Sequence, residues 1–167
     1  MSVANSQVFF YPRLFPIHNF NPAADSHRQL PICIRLSYER LEDTGVYVLE
    51  NGQDIWLWIG VNSPPDTVQK LCGGPTAAAP GAQTVDVVKL SELPEFDNPL
   101  SQKVRQVVQT IRNERNHHLR LHVVIQKKQV DGIEAVFQRQ LCEDKTNGVS
   151  YVDYLCHLHS EIRALLS

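Results

Sequence analysis

Seven histidines and four cysteines are the side chains of this 167-residue chain best suited to hold a metal or attack a substrate, and their spacing speaks against both roles. Cys156-His157-Leu158-His159 is the densest cluster. On a helix Cys156 and His159 share a face at i, i+3, but a structural zinc takes four ligands and no second pair stands at ligand spacing elsewhere. A thiol packed in a helix stripe is the preferred reading. His117-His118 follows a helical pattern, where imidazoles are favoured by the exposed carbonyls and need no further role. Cys33, Cys72, Cys142 and Cys156 are widely spaced and lack CxxC pairing, which predicts reduced, mostly buried thiols.

Catalysis has no foothold in the remaining motifs. The chain holds no G-x-S-x-G elbow and no glycine-rich phosphate loop. Gly73-Gly74 is followed by Pro75, whose missing N–H spoils an anion-binding nest. The paired acids Glu42-Asp43 and Glu143-Asp144 lie beside loops and read as solvated turn residues. No catalytic, cofactor-binding or metal-ligating residue is assigned. The 16 basic and 18 acidic side chains leave a formal charge of −2, with no run of one sign long enough to grip nucleic acid or a membrane surface.

The elements that must carry these side chains are organised around Thr44 to Gly60. Val46 to Leu49 is a β-branched and aromatic run, Asn51-Gly52 is a hairpin signal, and Ile55-Trp56-Leu57-Trp58-Ile59 is apolar on both faces, as in a central strand covered on both sides. Val8 to Phe20 is rich in aromatics but interrupted by Pro12 and Pro16, so it reads as an extended, packed flank, preceded by a polar, frayed end. Leu30 to Leu36 reads as a short strand, and Ser37 as the cap of a short helix over Tyr38 to Asp43. Asp66 to Cys72 is a short helix, cut off by the small-residue loop from Gly73 to Ala82. Val85 to Leu90 gives a further strand.

Asn98-Pro99 caps an amphipathic helix carrying Leu100, Val104, Val107, Val108 and Ile111, running through Arg115. Leu119 to Gln126 alternates as a half-exposed strand. Asp131-Gly132 turns into a helical face of Ile133, Val136, Phe137 and Leu141. Ser150 and Asp153 form a capping-box-like start to a last helix with Tyr151, Leu155, Leu158, Ile162 and Leu165 along a stripe. The order describes an α+β domain, a mixed sheet with helices on both faces. At this length roughly 70% of the unfolded surface can be buried in one core. Its expected members are Val46, Val48, Trp56, Trp58, Val104, Ile111, Phe137 and Leu155. No apolar run approaches the roughly 20 residues of a membrane-spanning helix, and no signal peptide is evident, so the expectation is a soluble, cytosolic chain.

The hairpin pattern G-V-Y-V-L-E-N-G-x-x-I-W-L-W-I-G resembles the signature of gelsolin-like domains. FYPRLFPIH at Phe10 to His18, ERLEDTGVYVLENG at Glu39 to Gly52, LPEFDNPLSQKVR at Leu93 to Arg105, and EDK at Glu143 followed by SYVDYLCHLHSEIRALLS from Ser150 resemble the C-terminus of the cargo-adaptor subunit of the COPII vesicle coat. The resemblance implies three segments: residues 1–29 as a flank that joins a helical region absent from this chain, 30–142 as the gelsolin-like domain, and 143–167 as a C-terminal helix. It implies a non-enzymatic interaction module in endoplasmic-reticulum-to-Golgi transport, cytoplasmic and on the cytosolic face of the endoplasmic reticulum through the coat. The implied partners are the GTPase-activating coat subunit and the rest of the coat protein, with cargo or SNARE proteins as further candidates. Phe10, Tyr11, Phe15, Tyr151 and Tyr154 are the candidate interface residues. No cofactor is expected, because the family's zinc finger lies in the missing part.

The alternative of a different class is an actin-binding gelsolin-like repeat independent of calcium. Calcium-binding repeats of the superfamily place an aspartate directly after the glycine that opens the first hairpin strand. Here Gly45 is followed by Val46, and calcium needs several hard oxygen ligands.

Overall fold

The computed structural model describes residues 3–20, 29–64, 66–73, 93–115, 117–127, 132–144 and 151–166. The hairpin is β2 (Val46–Glu50) and β3 (Asp54–Ile59), antiparallel with Leu49 opposite Trp56 and Tyr47 opposite Trp58. Its turn uses the two signal residues differently. Gly52 takes the left-handed backbone at φ 81°, whereas Asn51 keeps a negative φ and accepts the N–H groups of Gln53 at 3.0 Å and Asp54 at 2.8 Å through Oδ1, an Asx turn. At the far end a Cβ on Gly60 would stand 2.1 Å from the carbonyl oxygen of Asp43. Two backbones cross there, and only glycine leaves room.

Two further strands complete a mixed sheet in the order β1-β2-β3-β4. β1 (Arg13–Pro16) pairs antiparallel with β2, and β4 (Arg120–Ile125) runs parallel to β3 with Leu57 beside Val123. A parallel neighbour needs a crossover. The described parts of that crossover are α2 (Thr67–Cys72) and α3 (Pro99–Asn113). Asn98 caps α3 by accepting the Ser101 N–H at 2.8 Å, with Pro99 in the first turn.

The period of two splits the sheet into two apolar faces. Val46, Val48, Ile55, Leu57, Ile59, Leu121 and Val123 pack on Leu71 of α2 and on Val104, Val107, Val108 and Ile111 of α3. Tyr47, Leu49, Trp56, Trp58 and Val124 pack on Leu36 and on Phe137 of α4 (Ile133–Gln138). Each of these large side chains contributes about 1.5–3 kcal/mol by leaving water. The result is the expected α+β arrangement, a mixed sheet with helices on both faces. β4 is more deeply buried than the half-exposed strand expected from its alternation, because α4 covers its second face and closes over Val124.

Several expectations need correction. The N-terminal segment is not extended throughout: Val3–Phe10 forms α1, whose last helical bond runs from Tyr11 N–H to Gln7 O at 2.9 Å. Pro12 then stops the helix, since the residue before a proline is driven to extended backbone. β1 lies between Pro12 and Pro16 as an edge strand, and Phe15 is 1% exposed in the core rather than at an interface. The strand expected over Leu30 to Leu36 shrinks to one bridge, Ile34 N–H to Leu14 O at 2.9 Å. Pro16, the next β1 residue whose backbone faces that side, has no N–H with which to extend the pairing.

The helix expected from Tyr38 is a single 3₁₀ turn, Tyr38–Arg40, and Ser37 makes no side-chain bond to it. The last helix, α5 (Tyr151–Leu166), forms over the expected span, but Leu155 is 42% exposed and does not belong to the core. The loop 73–82 beyond Gly73, the strand over Val85 to Leu90 and the cap at Ser150 lie outside the described residues.

Candidate functional site

Among the described residues no group of three His, Cys, Asp or Glu is placed to hold a metal ion. Cys156, His157 and His159 sit on the exposed face of α5. His117 is engaged by the hairpin turn, its Nε2 lying 2.9 Å from the Gly52 carbonyl oxygen. His122 stacks on Trp56 with ring centroids 4.3 Å apart and sets Nε2 3.0 Å from Asp54 Oδ1. Only Cys72 is a buried thiol, pushed up to about 12 by burial and therefore inert. Cys33, Cys142 and Cys156 are exposed, which corrects the expectation of mostly buried cysteines.

The acidic pairs divide. Glu42 is largely solvated, and Asp43 Oδ2 accepts from Asn62 Nδ2 at 2.8 Å at the surface. Glu143 and Asp144 are not solvated turn residues. Glu143 is 7% exposed and accepts from the Tyr11 hydroxyl, from Arg35 Nε at 2.6 Å and from Leu36 N–H at 3.3 Å. Burial works against its charge, but these donors outweigh burial and hold its carboxyl below the usual carboxylate range. Asp144 Oδ1 accepts from Ser37 Oγ at 2.9 Å and Tyr38 N–H at 2.8 Å. Through these two side chains the segment after α4 stitches residue 11 to residues 35–38.

Glu50 is a second buried carboxylate that the sequence reading passed over. It has no solvent exposure and is held by Arg13 and Arg115. The signal was available. Glu50 shares a strand face with Val46 and Val48, and Arg115 continues the α3 stripe one turn beyond Ile111, so an acid and a base both point at the core. Arg13 completes the group, its Nη2 also lying 2.7 Å from Glu114 Oε2.

Most of the exposed large apolar side chains among the described residues lie at the end of α1 and on α5. Phe10 is 77% exposed and meets the exposed Phe9 edge to face, with centroids 5.5 Å apart, while Tyr11 is half exposed. On α5 every described side chain from Val152 to Leu166 is exposed, including Tyr154, Leu155, Leu158, Ile162 and Leu165; Tyr151 lies in the helix, its side chain outside the described set. An amphipathic helix that offers its apolar stripe to water is a candidate contact surface and not a core element. Among the described residues no helix is long and apolar enough to cross a membrane. A gelsolin-type calcium site does not fit this chain, because the position after Gly45 is Val46, buried at 3% exposure among aliphatic side chains.

Comparison with known proteins agrees with this geometry. The gelsolin repeat family model matches residues 27–108. The human protein transport protein Sec24C is 41% identical over 169 aligned residues, covering 100% of this chain and 14% of that protein. Human Sec24D is 39% identical, covering 100% and 15%, and SEC24 B of Arabidopsis thaliana is 35% identical, covering 94% and 14%. The crystal structure of the human COPII-coat protein Sec24c superposes with a TM-score of 0.79 at 40% identity, over 100% of this chain and 21% of that one. The chain belongs to the Sec24 family. It corresponds to the gelsolin-like part of Sec24 and spans about one seventh of the length of the Sec24 relatives it matches. The match to Sec24C spans the whole chain and so takes in the segments that form α1, β1 and α5 as well as the central sheet.

Proposed function

We propose that this chain is a non-enzymatic interaction module of a COPII coat protein and acts in vesicle transport from the endoplasmic reticulum to the Golgi. The observation that carries the reading is the end-to-end match to Sec24C, helices α1 and α5 included, at 41% identity. The module needs no cofactor of its own and works on the cytosolic face of the endoplasmic reticulum membrane, peripherally, through the coat.

Its first partner is the rest of the same coat polypeptide. The relatives are about seven times longer than this chain, and the aromatic end of α1 and the stripe of α5 are the apolar surfaces left for that larger body. The gelsolin-like domain is assigned to residues 30–142, joined by β1, and α5 is the appended docking helix. The second partner is the GTPase-activating coat subunit, with cargo or SNARE proteins as further candidates. Actin binding is disfavoured because the relatives named are protein transport proteins and the matching solved structure is a COPII-coat protein.

The test is a binding titration of the 167-residue chain against the GTPase-activating coat subunit and, in parallel, against filamentous actin with and without calcium. Saturable coat binding is the expected result. Saturable binding to actin with none to the coat subunit overturns the proposal.

A further inference from the structure

We infer that Glu143 is a positioning residue: it fixes the end of α1 against the sheet and thereby aims the exposed Phe9–Phe10 pair. The helix is marginal by itself. It is eight residues long, shorter than an isolated helix needs to persist in water. Of its side chains from Ser6 to Phe10, none is fully buried. Its final hydrogen-bonded residue is Tyr11, and the hydroxyl of Tyr11 is donated to the buried Glu143 carboxylate. A phenol bonded to an ionised, desolvated acceptor is among the stronger classes of hydrogen bond.

Glu143 is itself held from three directions. Arg35 donates Nε at 2.6 Å, Leu36 donates its N–H at 3.3 Å, and the Glu143 N–H donates in turn to the Leu36 carbonyl at 3.0 Å. Leu36 has no solvent exposure and belongs to the Trp56–Trp58 face of the core. A rigid path therefore runs from the core through Leu36 and Glu143 to Tyr11 and the aromatic end of α1. Asp144 adds bonds to Ser37 and Tyr38. The acidic pair thus ties the end of α1 to residues 35–38. The latch stands on its own geometry; only its consequence for docking rests on the coat reading above.

Hydrogen–deuterium exchange on the full 167-residue chain tests the inference, comparing the unaltered protein with Tyr11→Phe and Glu143→Gln. Tyr11→Phe removes one hydroxyl and leaves Arg35 and Leu36 on Glu143, so the fold survives. The expected result is exchange about tenfold faster at the amides of residues 6–11, with β2 and β3 unchanged and a smaller effect for Glu143→Gln, which keeps an acceptor. Unprotected α1 amides in the unaltered protein overturn the inference. So do unchanged α1 amides in Tyr11→Phe, or equal acceleration across α1 and the hairpin. Binding to the coat partner is read separately: faster α1 exchange with unaltered coat binding upholds the latch and contradicts its docking role.

Discussion

Arg115 places both Nε and Nη2 2.7 Å from Oε1 of Glu50, a carboxylate with no exposure to solvent. Arg13 holds the other oxygen at 2.7 Å, so β1, β2 and the end of α3 meet on one buried acid. Removing that acid leaves the Arg115 guanidinium, only 5% exposed at the side chain, without its counter-charge. Glu50→Ala is expected to cost about 3–5 kcal/mol, the usual penalty for breaking a buried pair from one side. Chemical denaturation of the two proteins measures it, with Arg115→Ala predicted to cost less because Arg13 stays on Glu50.

Trp56 and Trp58 fill the face beneath α4, and among the described residues neither indole N–H has a hydrogen-bond partner. Truncating Trp58 to alanine opens a cavity beside Tyr47 and Phe137 and is expected to cost about 3–5 kcal/mol. Trp58→Phe loses less volume and also removes the unpaired donor, whose burial costs about 1–3 kcal/mol, so the two effects oppose. A loss of no more than about 2 kcal/mol for phenylalanine, well short of the alanine variant, is the predicted order in urea unfolding.

The depressed Glu143 carboxyl makes stability depend on acid. Above the ordinary glutamate value of about 4.3 the group is ionised in both folded and unfolded chains, and the stabilisation from Tyr11, Arg35 and Leu36 is fully present. As pH falls through that value the unfolded chain takes up a proton first, and the stabilisation drains away until the folded carboxyl protonates too. The stability difference between the unaltered chain and Glu143→Gln is therefore expected to be constant from pH 7 to about 5 and to shrink below it. Denaturation curves at stepped pH measure the difference, and a constant gap down to the acid limit contradicts the assignment.

The hairpin and α3 were legible because period and end signals agree there. Val46 to Ile59 alternates across both faces of a covered strand, and Asn98-Pro99 opens a clean 3.6-residue stripe. Leu30 to Leu36 misled because strand-like composition says nothing about whether a partner edge has donors to offer, and Pro16 withdraws one. Phe15 was hidden by its prolines, which forbid a long strand but permit a four-residue edge. Leu155 misled for the opposite reason, since a helical stripe marks a face to be covered without saying by which chain. The Glu143 latch spans 132 positions between Tyr11 and its acceptor, a distance at which local pattern is silent. Glu50 and Arg115, by contrast, each occupied a core-facing position in a periodic element, where a charge already implies a buried partner.

On the proposed function, α5 is a docking surface of a coat module and not part of this domain's own core. The most direct measurement replaces Leu158 and Ile162 together with glutamate in the 167-residue chain. Thermal stability and association with the remainder of the coat polypeptide, supplied separately, are then recorded. Stability within about 0.5 kcal/mol of the unaltered chain, as for exposed positions, together with loss of association, is the expected result. A stability loss above about 2 kcal/mol, the signature of a core position, or association that survives the substitutions contradicts it.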